Sequence, residues 1–267
     1  MRRMPAVSGQ FYNGTAARLK EQVAQYIIEG AVKEKVLGAV VPHAGLIYSG
    51  PVAGAVYSSI VFPKTFLLLG PNHTGLGPAV SLMDGGEWEI PTGVFEIDKK
   101  LAARLALNTP LATRDAQAHM FEHSLEVQLP FISHLSKDVR IVPVAILSAT
   151  IDECMELARA VADAVRSVNY PVVILASSDM SHYLPAETAK QKDRKAIERM
   201  LSLDPEGLYK TVREERITMC GYLPATVMLA ACKLLGAGSA RLVKYATSGD
   251  ISGDYDSVVG YAGIVVR

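Results

Sequence analysis

Five short stretches of the chain are apolar without alternation: residues 36–41 (VLGAVV), 65–69 (TFLLL), 139–147 (VRIVPVAIL), 171–176 (PVVILA) and 258–266 (VVGYAGIVV). A strand with one face in water alternates apolar and polar positions, whereas a solid Val/Ile/Leu run suits a strand covered on both faces. Between them lie helix-like patterns at 50–60, 99–107, 123–135, 151–168, 186–203, 205–213 and 223–235. In 151–168, Leu157, Val161 and Val165 recur every four residues and put one apolar stripe on a helix. Strands alternating with helices predict βαβ units and an α/β fold, with a mainly parallel central sheet covered by helices. Residues 79–95, with Trp88 and several glycines, break the rhythm and predict short antiparallel strands beside that sheet. No linker, repeat or low-complexity tract interrupts the pattern, so one domain over 1–267 is expected.

Composition narrows the function classes. Lys+Arg and Asp+Glu both number 27, which leaves no basic field of the kind nucleic-acid binding needs. No apolar run approaches the ~18 residues of a spanning helix. The opening MRRMPAVSGQFYNG has two arginines but no apolar stretch behind them, unlike a signal peptide. Three cysteines far apart give no disulfide framework and suit a reducing compartment, so a cytoplasmic setting is expected.

The chemistry collects where three apolar runs stop. The first leads into Pro42-His43-Ala44-Gly45, the second into Gly70-Pro71-Asn72-His73-Thr74-Gly75, and VVILASS into Asp179-Met180-Ser181-His182-Tyr183. In a parallel sheet these ends share one edge, where open α/β sheets place their ligand sites. Three of only six histidines thus occupy equivalent positions. Neutral imidazole is the commonest metal ligand, and the neighbouring Gly and Pro let the chain turn sharply. A shared metal site is the reading these positions support together; singly, each is as well read as a hydrogen-bonded loop histidine.

Cys220 stands in Met219-Cys220-Gly221-Tyr222-Leu223-Pro224, just before a helix in which Pro224 suits the first turn. The helix dipole there predicts a thiolate-favouring position and a soft ligand for iron, copper or zinc. Cys232 reads as core, and Cys154 has nothing around it to activate it. His123, in Phe121-Glu122-His123-Ser124, is placed at a helix entry, either facing a substrate or capping the helix. His119, four residues earlier, is discounted as its metal partner, and His134 falls on the surface. The loop 248–256 (SGDISGDYD) lacks the spacing of an EF-hand and reads as a connection lining the crevice.

At VVPHAGLIYSG, LLLGPNHTG, EHSLEVQLPF, SSDMSHY, MCGYLP and TSGDISGD, together with the opening AVSGQFYNG, the sequence resembles the Memo family. The resemblance implies the α/β sandwich shared with the class III extradiol (LigB-type) dioxygenases, in which two histidines and a glutamate hold Fe(II). Carried over, His43 and His73 match the two metal histidines, His182 matches the acid–base position with Asp179 nearby, and Cys220 stands at the third ligand position. Thiolate in place of carboxylate makes the site softer, drawing it towards Cu(I) or zinc. The family association implies iron or copper and redox chemistry. It also implies a functional link to radical-SAM and AMMECR-type proteins.

Three readings follow. In the first, the chain is a non-haem iron or copper oxidoreductase acting on a small molecule, with His43, His73 and Cys220 on the metal. His182 then moves protons, Asp179 orients it, and His123 touches the substrate. In the second it is a metal-binding or scaffold protein that keeps the pocket without turnover. In the third it is a zinc hydrolase.

Overall fold

A computed structural model describes residues 1–267. In chain order the elements are β1 (Arg2–Arg3), α1 (Ala16–Ala24), β2 (Gly38–Val41), α2 (Leu46–Ser59), β3 (Thr65–Pro71), β4 (Val80–Leu82), β5 (Glu87–Ile90) and β6 (Gly93–Glu96). Then come α3 (Lys99–Asn108), β7 (Thr113–Arg114), α4 (Leu129–Leu135), β8 (Arg140–Ile146), α5 (Ile151–Arg166) and β9 (Val172–Ser177). The chain closes with β10 (His182–Leu184), α6 (Ala186–Leu201), α7 (Pro205–Glu214), α8 (Tyr222–Leu234), β11 (Ala240–Thr247), α9 (Gly249–Ser252) and β12 (Val258–Val266).

Nine strands form one sheet in the order β10-β12-β2-β9-β3-β8-β4-β7, with β11 alongside β12. Its centre, β2-β9-β3-β8, is parallel, and this is where the non-alternating runs fall. β12 pairs antiparallel with β2, β10 and β11, and β4 pairs antiparallel with β8. The expectation of a mainly parallel sheet holds at its centre, and the antiparallel pairs around β12 and between β4 and β8 make the whole sheet mixed rather than purely parallel. Every residue of β2, β3 and β9 is buried, because helices lie on both faces. α3, α5, α7 and α8 pack together on one side, while α2, α4 and α1 cover the other. α5 begins at a capping box formed by Thr150 and Glu153 and turns Leu157, Ala158 and Val161 inward. No helix is long and apolar enough to cross a membrane.

The stretch 79–95 does depart from the parallel rhythm. β5 and β6 form an antiparallel hairpin, and β1 adds to it in parallel. Elsewhere the boundaries differ from expectation. α2 starts at Leu46, four residues before the expected 50–60 stretch, and carries Pro51 inside it, where the proline removes one N–H from a helix already under way. The helix expected from His123 begins later: 3-10 turns occupy Gln117–His119 and Glu126–Gln128, and α4 starts at Leu129. His123 therefore sits in an irregular segment, free of helical geometry. α1 and β11 were not anticipated, since their exposed charged residues dilute the apolar pattern.

Candidate metal centre

Register fixes the site before any side chain is considered. Val41 pairs with Ser177 at the ends of β2 and β9, and Leu69 of β3 pairs with Ala176 of β9. The turns after these strands carry His43, His73 and Asp179, which therefore leave the same edge side by side. The irregular segment before α4 brings a third imidazole to them. One ligand atom from each of His43, His73 and His123 lies within 4.8 Å of the other two. Donors sharing an ion at ~2.1 Å stand at most ~4.2 Å apart, so the set is within a fraction of an ångström of closing on one. His73 and His123 stack at 4.6 Å, and His43 stands edge-on to both at 5.4 and 5.5 Å.

Each ring is steered from behind. The Nδ1 of His73 donates to Glu122 Oε1 at 2.9 Å, and the backbone N–H of His73 donates to the other oxygen of that carboxylate. Ser124 N donates to Glu122 Oε1 at 2.9 Å, and His123 Nδ1 lies 3.5 Å from it. Burial would push the Glu122 carboxyl up, but the bonds from His73 and Ser124 prevail and hold it down at about 2. The Nδ1 of His43 lies 2.9 Å from Ser177 Oγ. Burial also pushes both His43 and His123 below the usual histidine range, which keeps the rings neutral and able to ligate. Phe11 packs its ring 4.7 Å from His123 and closes that side.

Cys220 borders the set from the side of His43, with Sγ 3.2 Å from Nε2 and accepting from Asp179 N at 3.3 Å. It does not belong to the mutual trio. The thiolate expected from the helix dipole is opposed here: loss of solvent around the sulfur, helped by the Asp179 charge, pushes the thiol up. Desolvation outweighs a partial dipole, so an arriving cation would have to displace the proton. Asp179 is buried, and burial pushes its carboxyl up; Oδ1 accepts from the backbone N–H of His43 at 2.8 Å and of Ala44 at 3.3 Å. The acid thus shapes the turn after β2. His182 is held separately, its Nδ1 donating to the Thr218 carbonyl oxygen at 2.9 Å and its backbone N–H to Thr218 Oγ1 at 2.7 Å.

The four histidines and Asp179 line a cleft of about 590 Å³. His43, His73, His123, Asp179 and His182 share it with Tyr48, Tyr183 and Tyr261, and Ser248, Ser252 and Ser257 come from the loop expected to line the crevice. Tyr183 is 77% exposed and sits at φ 58°, a left-handed conformation uncommon for an aromatic residue, at the mouth of the cleft. His119 lies elsewhere, buried beside Trp88 with Nε2 on the Ser81 carbonyl, and His134 is exposed. Cys232 is buried, as read, and Cys154 is buried as well. Glu122, Ser177 and Gln128 went unread because nothing in their local pattern announces them.

The chain matches the profile of the Memo-like protein over residues 3–265. It belongs to the Memo-like family. Relatives of this Memo-like chain include MEMO1 family proteins of Methanothermobacter thermautotrophicus, 39% identical, and Methanopyrus kandleri, 40% identical. The alignments span 98% and 100% of this chain and 99% of each relative. A MEMO1 family protein of Saccharolobus islandicus is 43% identical over 98% of both chains. Among solved structures, the uncharacterized protein JW3007 of Escherichia coli K12 superposes with a TM-score of 0.55 at 17% identity. That match covers 86% of this Memo-like chain and all of the other, and it speaks for the fold alone.

Proposed function

We propose that this Memo-like chain binds one transition-metal ion at the strand-end cluster and admits a small molecule to it through the cleft, as a non-haem iron or copper oxidoreductase. The observation that carries the reading is the convergence of three imidazoles, each from a different segment, with one ligand atom of each within 4.8 Å of the other two. The donor chemistry fits such an ion. Imidazole and thiol suit iron, copper and zinc, whereas magnesium and calcium call for oxygen ligands. The one carboxylate lining the cleft, Asp179, is already engaged by two backbone N–H groups.

In this reading His43 and His73 are the two constant ligands. Cys220 is the third donor implied by the family resemblance, and His123 is the third implied by proximity. Bound iron or copper supplies one-electron chemistry. The chain's own contribution is to bind, orient and move protons. With Nδ1 of His182 committed to the Thr218 carbonyl, Nε2 is the atom left to take a proton in the cleft. Phe11, Tyr48 and Tyr183 offer aromatic surface to the incoming molecule.

A second reading draws on the closeness of Cys220 to His43. If three histidines and the thiol all bind, a four-coordinate ion has no open position, and the site sequesters metal without turnover. Anaerobic purification with elemental analysis, followed by Fe(II) loading, separates these outcomes. His43→Ala and His73→Ala are expected to lose the metal, and full metal content in both would end the proposal. Metal loss in only one of His123→Ala and Cys220→Ser identifies the third ligand; loss in both favours the closed site. Oxygen uptake abolished in His182→Ala with metal retained supports the oxidoreductase.

A further inference from the structure

The hydrogen bonds around Ser177 leave only one arrangement of protons on its neighbour. Ser177 closes β9 and is wholly buried. Its Oγ has three partners: the Ser124 carbonyl oxygen at 2.6 Å, Gln128 Nε2 at 2.8 Å and His43 Nδ1 at 2.9 Å. A serine hydroxyl owns one proton and two lone pairs. The Ser124 carbonyl can only accept, so the proton goes there. Gln128 must present its nitrogen, because Nε2 also donates to the Pro42 carbonyl at 3.0 Å while Oε1 accepts from the Tyr57 hydroxyl at 3.0 Å. Flipping the amide would set two carbonyl oxygens against each other. The bond that remains for His43 is donation from Nδ1. Its Nε2 therefore carries the lone pair, on the side of the ring that faces Cys220 Sγ.

We propose that Ser177, held by Ser124 and Gln128, is a positioning residue that fixes His43 as the Nδ1–H tautomer, so that Nε2 is ready to ligate before an ion arrives. A free imidazole can carry its proton on either nitrogen, and one that ligates through Nε2 must keep that atom bare. The lock is anchored in the core, since Tyr57 stacks on Phe131 at 5.3 Å and both side chains are buried. Its purpose rests on the metal-site reading above; its existence does not.

The test begins on metal-free, 15N-labelled wild-type protein, with NMR correlating ring nitrogens to ring protons and His43→Gln used for assignment. A protonated Nδ1 and a bare Nε2 on His43 are expected. Nε2 protonation, or a mixture of tautomers, overturns the proposal. In Ser177→Ala the ring is expected to become mixed, and zinc affinity, measured against a competing chelator, to fall by about 10–100-fold. Ser177→Thr, which keeps the hydroxyl, is expected to restore the single tautomer. An unchanged tautomer with unchanged zinc affinity in Ser177→Ala also overturns it. Should wild-type protein bind no zinc, the metal reading falls while the ring-nitrogen signals still decide the lock.

Discussion

Arg3 and Glu126, 123 positions apart, form an ion pair with neither side chain exposed to solvent. The rest of the guanidinium grips the segment that carries His123. Nε donates to the His119 carbonyl at 2.9 Å, Nη2 donates to the Glu122 carbonyl at 2.7 Å, and the cation lies 4.4 Å from the centre of the Trp88 ring. The carboxylate in turn accepts from Ala6 N at 2.7 Å, Val7 N at 3.1 Å and the Tyr12 hydroxyl at 2.5 Å. The N-terminal segment and the site-bearing segment are thereby one unit, and Phe11 from the former lies against His123 of the latter.

Removing one member of this pair strands the other's charge out of water. Arg3→Met and Glu126→Gln are each expected to lower unfolding free energy by about 3–5 kcal/mol, with the double variant losing well under the sum. Urea unfolding of the four proteins measures this. Additive losses would mean that the two charges do not depend on each other in the folded state.

That unit also marks the limit of what the sequence made legible. His43 and His73 could be found because solid apolar runs stop in Pro, Gly and Asn, and parallel pairing brings such stops to one edge. Glu122 and His123 lie in a segment with no period to read, and it is ordered by an arginine more than a hundred residues away. Arg3 itself looked like part of a basic start. Its burial follows from β1 joining β5 beside Trp88, a pairing no local pattern encodes. For Cys220 the element was right, but the electrostatics of its surroundings, set by burial and Asp179, run against the dipole.

Glu122 should matter to metal through His73 without touching the ion. Glu122→Gln keeps the shape but sets an amide where three N–H groups now donate to a carboxylate. Metal affinity is expected to fall by about 10–100-fold with the fold retained. Isothermal titration with zinc, beside circular dichroism, measures both. Wild-type affinity in this variant would show that the carboxylate serves the backbone turn alone.

His119 predicts a pH dependence of stability. Burial lowers its ring from 6.5 to about 4, and the Ser81 carbonyl only partly offsets this. Between those values the unfolded chain takes up a proton that the folded chain refuses, so stability falls as pH drops from about 6.5 to 4 and this contribution levels off below. The full effect is roughly 3 kcal/mol. His119→Gln should flatten the stability–pH curve across that window by about one proton's slope, leaving the shares of His43 and His123. Denaturant melts at half-unit pH steps would reveal it, and an unaltered slope would place the proton uptake elsewhere.

Gly221 is where the Cys220 segment meets the sheet. A Cβ there would stand 2.3 Å from the Ser177 carbonyl oxygen and 2.5 Å from Ser178 Cβ, and the backbone oxygen cannot rotate away. Gly221 also donates its N–H to Ser178 Oγ at 2.9 Å, which ties the start of α8 to the end of β9. Gly221→Ala must push these apart, at a cost of about 1–3 kcal/mol, and Cys220 moves with the helix start. The expected result is a lowered Tm together with faster alkylation of Cys220 by a thiol reagent, because the sulfur leaves its packed place beside His43. A lowered Tm with unchanged Cys220 reactivity would mean the strain relaxes through α8 alone, and that the contact between Cys220 and His43 does not depend on this close approach.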